Sequence, residues 1–91
     1  MELKWTSKAL SDLVRLYDFL ALVSKPTAAR TVQSLTQVPI ILLTHPRMGE
    51  QLFQFEPREV RRIFAGEYEI RYELTGQTTY VLRLWHIREN R

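Results

Sequence analysis

The most constraining feature of this 91-residue chain is a strict alternation near its C-terminus. Tyr68, Ile70, Tyr72 and Leu74 alternate with Glu69, Arg71 and Glu73, and Tyr80, Leu82 and Leu84 alternate with Val81, Arg83 and Trp85. Successive side chains of a strand point to opposite faces, so such a period predicts a sheet with one face buried. Thr75-Gly76-Gln77 separates the runs, and Gly76 can take the positive φ that a short hairpin loop needs. A loop at 75–77 pairs Tyr72 with Tyr80, Ile70 with Leu82 and Tyr68 with Leu84, and sets Glu69 across from Arg83. A slip would set Arg71 against Arg83, two like charges face to face, so the first register is expected. It leaves an apolar face for helices and an open face carrying Glu69, Arg71, Arg83 and Trp85. Residues 60–65 supply the preceding strand. Arg61-Arg62 and Ile63-Phe64 come in pairs there, so one arginine of the pair joins the open face.

Helical spacing dominates what comes before. Residues 3–6 form a short strand with Leu3 and Trp5 on one side, and Ser7 is the expected N-cap of a first helix. Leu10, Leu13, Val14, Tyr17, Leu20 and Ala21 fall on one stripe, while Ser11, Asp12, Arg15 and Asp18 face away. The helix ends near residues 23–24, and Pro26 suits the opening turn of a second one. Ala28, Ala29, Val32 and Leu35 make its apolar side, with Ile40, Leu42 and Leu43 extending it and Pro39 kinking or dividing it. Residues 51–56 form a brief extended segment stopped by Pro57. The expected fold is α+β, in the order β-α-α-β-β-β. A helical hairpin packs on a small, mostly antiparallel sheet in a single domain, residues 1–91. The N-terminal strand has two available neighbours, the second and the last strand of the C-terminal meander.

Composition narrows the function classes. Without cysteine there is no disulfide framework and no thiolate metal site, which suits a reducing cytoplasm. The N-terminus, Met1-Glu2-Leu3-Lys4-Trp5, lacks the apolar core of a signal peptide. Residues 38–43 are too few to span a membrane and contain Pro39, so no membrane contact is expected. There is no glycine-rich phosphate loop and no H-E-x-x-H, and His45 and His86 lack flanking ligands at metal spacing. No metal or cofactor is therefore expected. The net charge is +3, with the arginines concentrated in the last third. That favours nucleic acid or an acidic protein as partner, beside the simpler reading of a solvated face. Arg61, Arg62, Arg71, Arg83, Trp85, His86, Arg88 and Arg91 form a basic and aromatic set. Guanidinium groups hold phosphate oxygens, a ring stacks on a base, and a histidine moves a proton near neutral pH. These are the parts of a metal-free ribonuclease, and equally of a protein-binding surface.

Five segments sharpen this: W-T-S-K-A before the first helix, A-A-R in the second, H-P-R-M-G-E after it, and R-R-I-F-A-G-E-Y-E-I-R-Y leading to V-L-R-L-W-H-I-R-E-N. In that order, over nearly the whole chain, they resemble the RelE/ParE superfamily of bacterial toxins from type II toxin–antitoxin modules. The resemblance implies a cytoplasmic toxin held inactive in a hetero-oligomer by an antitoxin encoded beside it. It also implies an antitoxin that wraps an extended or helical C-terminal segment around the toxin. Leu13, Tyr17, Leu20, Val32 and Leu35, on the two helical stripes, are the expected docking residues.

The superfamily holds two activities. RelE-like members enter the ribosomal A site and cut messenger RNA, whereas ParE-like members poison DNA gyrase. Many RelE-like nucleases carry an arginine just before the apolar-x-Tyr of the central strand, and here Glu69 stands there. Some end in a His-Tyr pair, and here Ile87 follows His86. Arg62 matches an arginine of the preceding strand. The three lysines, Lys4, Lys8 and Lys25, all lie near the start of the chain. The ending His86-Ile87-Arg88 is of the ParE-like kind. The favoured expectation is a gyrase poison without catalysis of its own, with Arg71, Arg83, Trp85, Arg88 and Arg91 as the target-binding residues. The alternative is a ribosome-dependent mRNA endoribonuclease, with His86 as general acid or base and Arg62 stabilising phosphate charge. A third reading is a toxin that has lost activity and only binds its antitoxin.

Overall fold

The computed structural model describes residues 1–89. Its elements are β1 (Glu2–Trp5), α1 (Ser7–Ala21), α2 (Lys25–Gln37), a 3-10 helix (Val38–Leu43), β2 (Glu50–Gln51), a 3-10 turn (Phe53–Phe55), β3 (Glu59–Ala65), β4 (Tyr68–Thr75) and β5 (Thr78–His86). The five-stranded sheet runs β1-β5-β4-β3-β2. β1 lies parallel to β5, so the N-terminal strand takes the last strand as its neighbour, and the other pairs are antiparallel. Ala9 and Leu16 of α1, Leu35 of α2 and Leu42 of the 3-10 helix pack with Ile63, Ile70, Tyr72, Val81 and Leu84 of the sheet. The fold is the expected α+β arrangement, with β2 added as a short edge strand; of the extended segment expected over 51–56 only Gln51 is strand, and Phe53–Phe55 is a 3-10 turn instead.

Local chemistry explains the helix boundaries. Thr6, one residue before the expected cap, starts α1: its Oγ1 accepts the Ala9 N–H at 3.1 Å. The same hydroxyl lies 3.0 Å from the Val81 and Leu82 carbonyls, so one side chain ties the helix start to β5. Ser24 caps α2 by accepting the Thr27 N–H, with Pro26 in the first turn. Pro39 divides the second helical segment as expected: the α-helix stops at Gln37 and a 3-10 helix takes over.

The register of the β4–β5 hairpin differs from the expected one. Thr75 pairs with Thr78, so the loop is Gly76-Gln77, with Gly76 at φ 60° in the first central position that a type II′ turn reserves for glycine. Tyr72 therefore meets Val81 rather than Tyr80, and Thr79 and Val81 enter the core. The pairing then shifts between Tyr72 and Arg71, leaving Leu82 as an extra residue. Beyond this bulge Ile70 meets Leu84, Glu69 meets Trp85, and Arg71 faces Arg83. The like-charge opposition that argued against this pairing is relieved because each arginine has its own carboxylate: Arg71 binds Glu69 and Arg83 binds Asp12.

Gly49 lies where the 44–49 loop crosses the sheet. Tyr72, fully buried, accepts the Gly49 N–H at 3.0 Å and donates to the Pro46 carbonyl at 2.8 Å. Burial raises the Tyr72 pKa, so the phenol stays protonated and keeps both bonds. A Cβ at Gly49 would come within 2.5 Å of the Arg62 carbonyl oxygen and 2.6 Å of the Tyr72 hydroxyl. Gly49→Ala must therefore displace backbone and is expected to cost about 2 kcal/mol, as overpacking does. Thermal unfolding of the variant reads this directly, and an unchanged midpoint would mean that the loop yields freely.

Candidate functional site

On the sheet face opposite the helices, three strands converge on Glu69. Strand alternation turns Ile70, Tyr72 and Leu74 to the core and Glu69 and Arg71 to the other side. Glu69 is nonetheless only 6% exposed, because Arg62 (3.5 Å) and Arg71 (3.1 Å) close over its two oxygens. The Arg71 guanidinium lies between the rings of Phe55, at 5.2 Å, and Trp85, at 4.7 Å. Arg62 stacks on Phe64 at 5.6 Å and donates to Glu50 at 2.9 Å. The hydrogen bond to Glu50 and the charges of Glu50 and Glu69 hold the Arg62 pKa above its ordinary value despite some desolvation. The expected open face is thus covered at its centre. Trp85, expected on the open face, is only 7% exposed, with the Arg71 guanidinium over its ring. At the rim Arg58 pairs with Glu73, whereas Arg47 and Arg61 share Glu59 on the other side of the sheet, the side of Tyr72.

Arg83 takes another direction. Its Nε donates to Asp12 Oδ2 at 2.8 Å and its Nη2 to Oδ1 at 3.2 Å. Asp12 Oδ2 also accepts the Leu84 N–H at 2.9 Å, and Arg15 Nη2 lies 3.4 Å from Oδ1. Asp12 was expected to face solvent, but it is 3% exposed and belongs to the buried side of α1 with Ala9 and Leu16. Burial pushes its carboxyl pKa up, and the bonds from Arg83 and Leu84 and the charges of Arg83 and Arg15 outweigh that and hold it below the ordinary value. The helix is rotated accordingly, leaving Leu10 and Val14 of the expected apolar stripe at the surface. The readable signal was the spacing of Ala9, Asp12 and Leu16, a second stripe with one acid in it.

The C-terminal end of β5 borders a cavity of about 590 Å³ between Leu16, Phe19 and Leu20 of α1 and Tyr68, His86 and Arg88. The His86 ring stands edge-on to Tyr68 at 5.1 Å. Its Nδ1 accepts the Arg88 N–H at 3.1 Å, and its Nε2 lies 3.3 Å from Glu67, so Nε2 carries the proton. Glu89 accepts the His86 N–H at 2.8 Å and pairs with Arg15 at 2.7 Å, latching the turn after β5 to α1. His86 and Arg62, the two residues of the nuclease alternative, are not brought together. His86 is level with Tyr68 and Ala65, two strands and three residues away from Arg62. By strand spacing and rise that is roughly 14 Å between backbones.

The expected target residues therefore separate. Arg71 and Trp85 form one stack, Arg83 is held on Asp12, Arg88 is exposed without a carboxylate partner among the described residues, and Arg91 lies outside them. Of the expected docking residues, Leu13, Tyr17 and Val32 line a shallow hollow of about 190 Å³ with Val14. Leu20 belongs to the larger cavity. Leu35 is 0% exposed and serves the core, since α2 turns that side to the sheet. Leu22 and Val23, at the turn between the helices, are exposed apolar residues that the helical stripe did not include. Among the described residues no group of three or more His, Cys, Asp or Glu could hold a metal ion. No helix among them is long and apolar enough to cross a membrane.

A family model described as the ParE toxin of the type II toxin-antitoxin system, parDE, matches residues 3–91. Among solved structures, the chain is similar to one titled "Chromosomal ParDE TA system from P. aeruginosa". The two are 26% identical, with 94% of this chain and 95% of that chain covered and a TM-score of 0.78. No curated protein matches the sequence.

Proposed function

Since the chain belongs to the ParE toxin family of type II toxin–antitoxin systems, we propose that it arrests growth by binding DNA gyrase rather than by cutting RNA. Its family gives it an antitoxin as partner. The observation that carries the choice of target is the saturation of the basic sheet face by carboxylates. Glu69 is buried between Arg62 and Arg71, Glu50 occupies Arg62 as well, and Glu73 occupies Arg58 beside them. An RNA phosphate would have to displace these carboxylates or lie beside the buried Glu69 charge, and either is unfavourable. His86 meets a backbone N–H and Glu67 with its two ring nitrogens, and it lies on the helix side of the sheet with Tyr68, whereas Arg62 lies with Arg71 on the other side. A protein target needs no phosphate cradle. Arg–aromatic stacks such as Phe55–Arg71–Trp85, beside the exposed Phe53 and Phe64, are the residue types that anchor protein interfaces.

In this reading gyrase is held in a state where cleaved DNA is not resealed. The rim of the Arg71 stack and the tail, Arg88 and Arg91, make the contact. The antitoxin covers the helices at Leu13, Tyr17 and Val32. The test is pulse labelling of DNA and protein synthesis just after expression without antitoxin. DNA synthesis should stop first, and purified gyrase should accumulate cleaved DNA in the presence of the chain. Protein synthesis stopping first would overturn the reading. His86→Gln gives an independent check. It should leave the arrest within about threefold, whereas a loss of ~100-fold, typical of a removed acid or base, would identify a nuclease.

A further inference from the structure

We propose that the cleft between α1 and β5 receives an acidic side chain of the antitoxin, a contact that rests on the docking of the antitoxin along the helices. The cleft has a volume of about 400 Å³ and is lined by Lys8, Ser11, Asp12, Arg15 and Arg83. The first, second and fourth of these recur along one side of α1 at positions i, i+3 and i+7. The lining carries three cations and one anion, and the anion is used up. Asp12 is buried and accepts from Arg83 Nε and Nη2, from the Leu84 N–H and from Arg15 Nη2. The opening therefore presents donors without a competing acceptor. Lys8 is exposed, and its ammonium has no carboxylate partner among the described residues. Arg83 spends two nitrogens on Asp12, and that bidentate grip fixes the plane in which Nη1 is offered. Arg15, bound to Glu89, Asp12 and the Leu84 carbonyl, contributes its field rather than a free donor.

An oxyanion is the ligand such a set accepts, and its surroundings select a carboxylate on a polypeptide over a nucleic-acid phosphate. Val14 is an i,i+3 neighbour of Ser11, and with Leu10 it forms an exposed apolar strip beside the cleft. That strip leads to the hollow formed by Leu13, Tyr17 and Val32. A segment crossing α1 would set apolar side chains on the strip and one Asp or Glu in the cleft. A phosphate backbone has nothing to cover Leu10 and Val14. The charge contact would add association rate and register to binding that the apolar strip supplies.

The test uses the full chain with the antitoxin encoded beside it. A carbodiimide joins an amine to a carboxylate only when the two are in contact. Treatment of the complex should link Lys8 to one acidic residue of the antitoxin, identified by mass spectrometry. Lys8→Glu should weaken the complex about tenfold in ~0.1 M salt. Lys8→Arg should preserve affinity while abolishing the link, and a Lys at the identified antitoxin position should restore binding to the Lys8→Glu chain. A complex that forms with unchanged affinity in Lys8→Glu and no link at Lys8 overturns the cleft while leaving the docking reading intact. Failure of the wild-type chain to bind the antitoxin overturns both. Loss of affinity for a DNA duplex, with antitoxin binding unchanged, would assign the cleft to phosphate and also overturn the proposal.

Discussion

An Asp12→Ala chain is expected to lose about 3 kcal/mol of stability, because one buried carboxylate serves a backbone amide and two arginines. Without it the Leu84 N–H is buried and unpaired, and Arg83 faces Arg71 across the hairpin with no counter-charge of its own. For a domain of this size such a loss is a large fraction of the total and should lower the melting midpoint by roughly 10–20 °C. Asp12→Asn keeps the shape and one acceptor oxygen, and should cost about half as much. The two variants also separate charge from packing through pH. The Asp12 carboxyl titrates below its ordinary value in the folded chain. Its charge therefore stabilises fully above the unfolded carboxylate pKa, and that contribution is lost as pH falls through the lower folded value. The stability gap between wild type and Asp12→Asn should be widest near neutrality and close in strong acid. Denaturant titrations at both ends measure it. A gap that persists in acid would mean that Asp12 acts by shape alone.

Replacing Arg88 by Glu should raise the expression needed for a given growth arrest by roughly 100-fold, the scale expected for reversing an interface anchor. Stability should stay the same, since Arg88 is exposed and its side chain has no partner among the described residues. Antitoxin affinity should stay the same as well, which makes the change specific to the target. Arg83 does not offer so clean an experiment. Arg83→Ala would leave Asp12 buried without its main partner, so lost toxicity there would report damaged folding. A dose–arrest curve for Arg88→Glu, alongside its unfolding curve, decides the matter. Full toxicity in a folded Arg88→Glu chain would remove the tail from the target surface.

Much of this molecule can be read along the chain. The alternation of Tyr68, Ile70, Tyr72 and Leu74, the glycine at 76, the helical spacing and Pro39 each act within a few residues, and each produced its element. The ordered segments from W-T-S-K-A to V-L-R-L-W-H-I-R-E-N carried the family. The candidate site was legible as a list of residue types rather than as an arrangement. The Phe55–Arg71–Trp85 stack joins the 3-10 turn after β2 to two strands, and no local pattern announces it. The one-residue shift of the N-cap is a small miss of another kind: Thr6 and Ser7 are both good caps, and Thr6 prevails because its hydroxyl also reaches the β5 carbonyls.

Periodicity therefore determined, from sequence alone, that there are two helices and a C-terminal meander, and in what order. The tertiary structure decided the register, the rotation of α1 and the destination of each arginine. Whether Arg71 and Arg83 can face each other depends on Asp12, a carboxylate 71 positions from Arg83. Whether Trp85 and Leu35 are surface or core depends on what folds over them. Period and capping are energies between near neighbours and are written along the chain. Charge neutralisation and burial are energies between groups that meet only in three dimensions, and they exist only once the helices lie on the sheet.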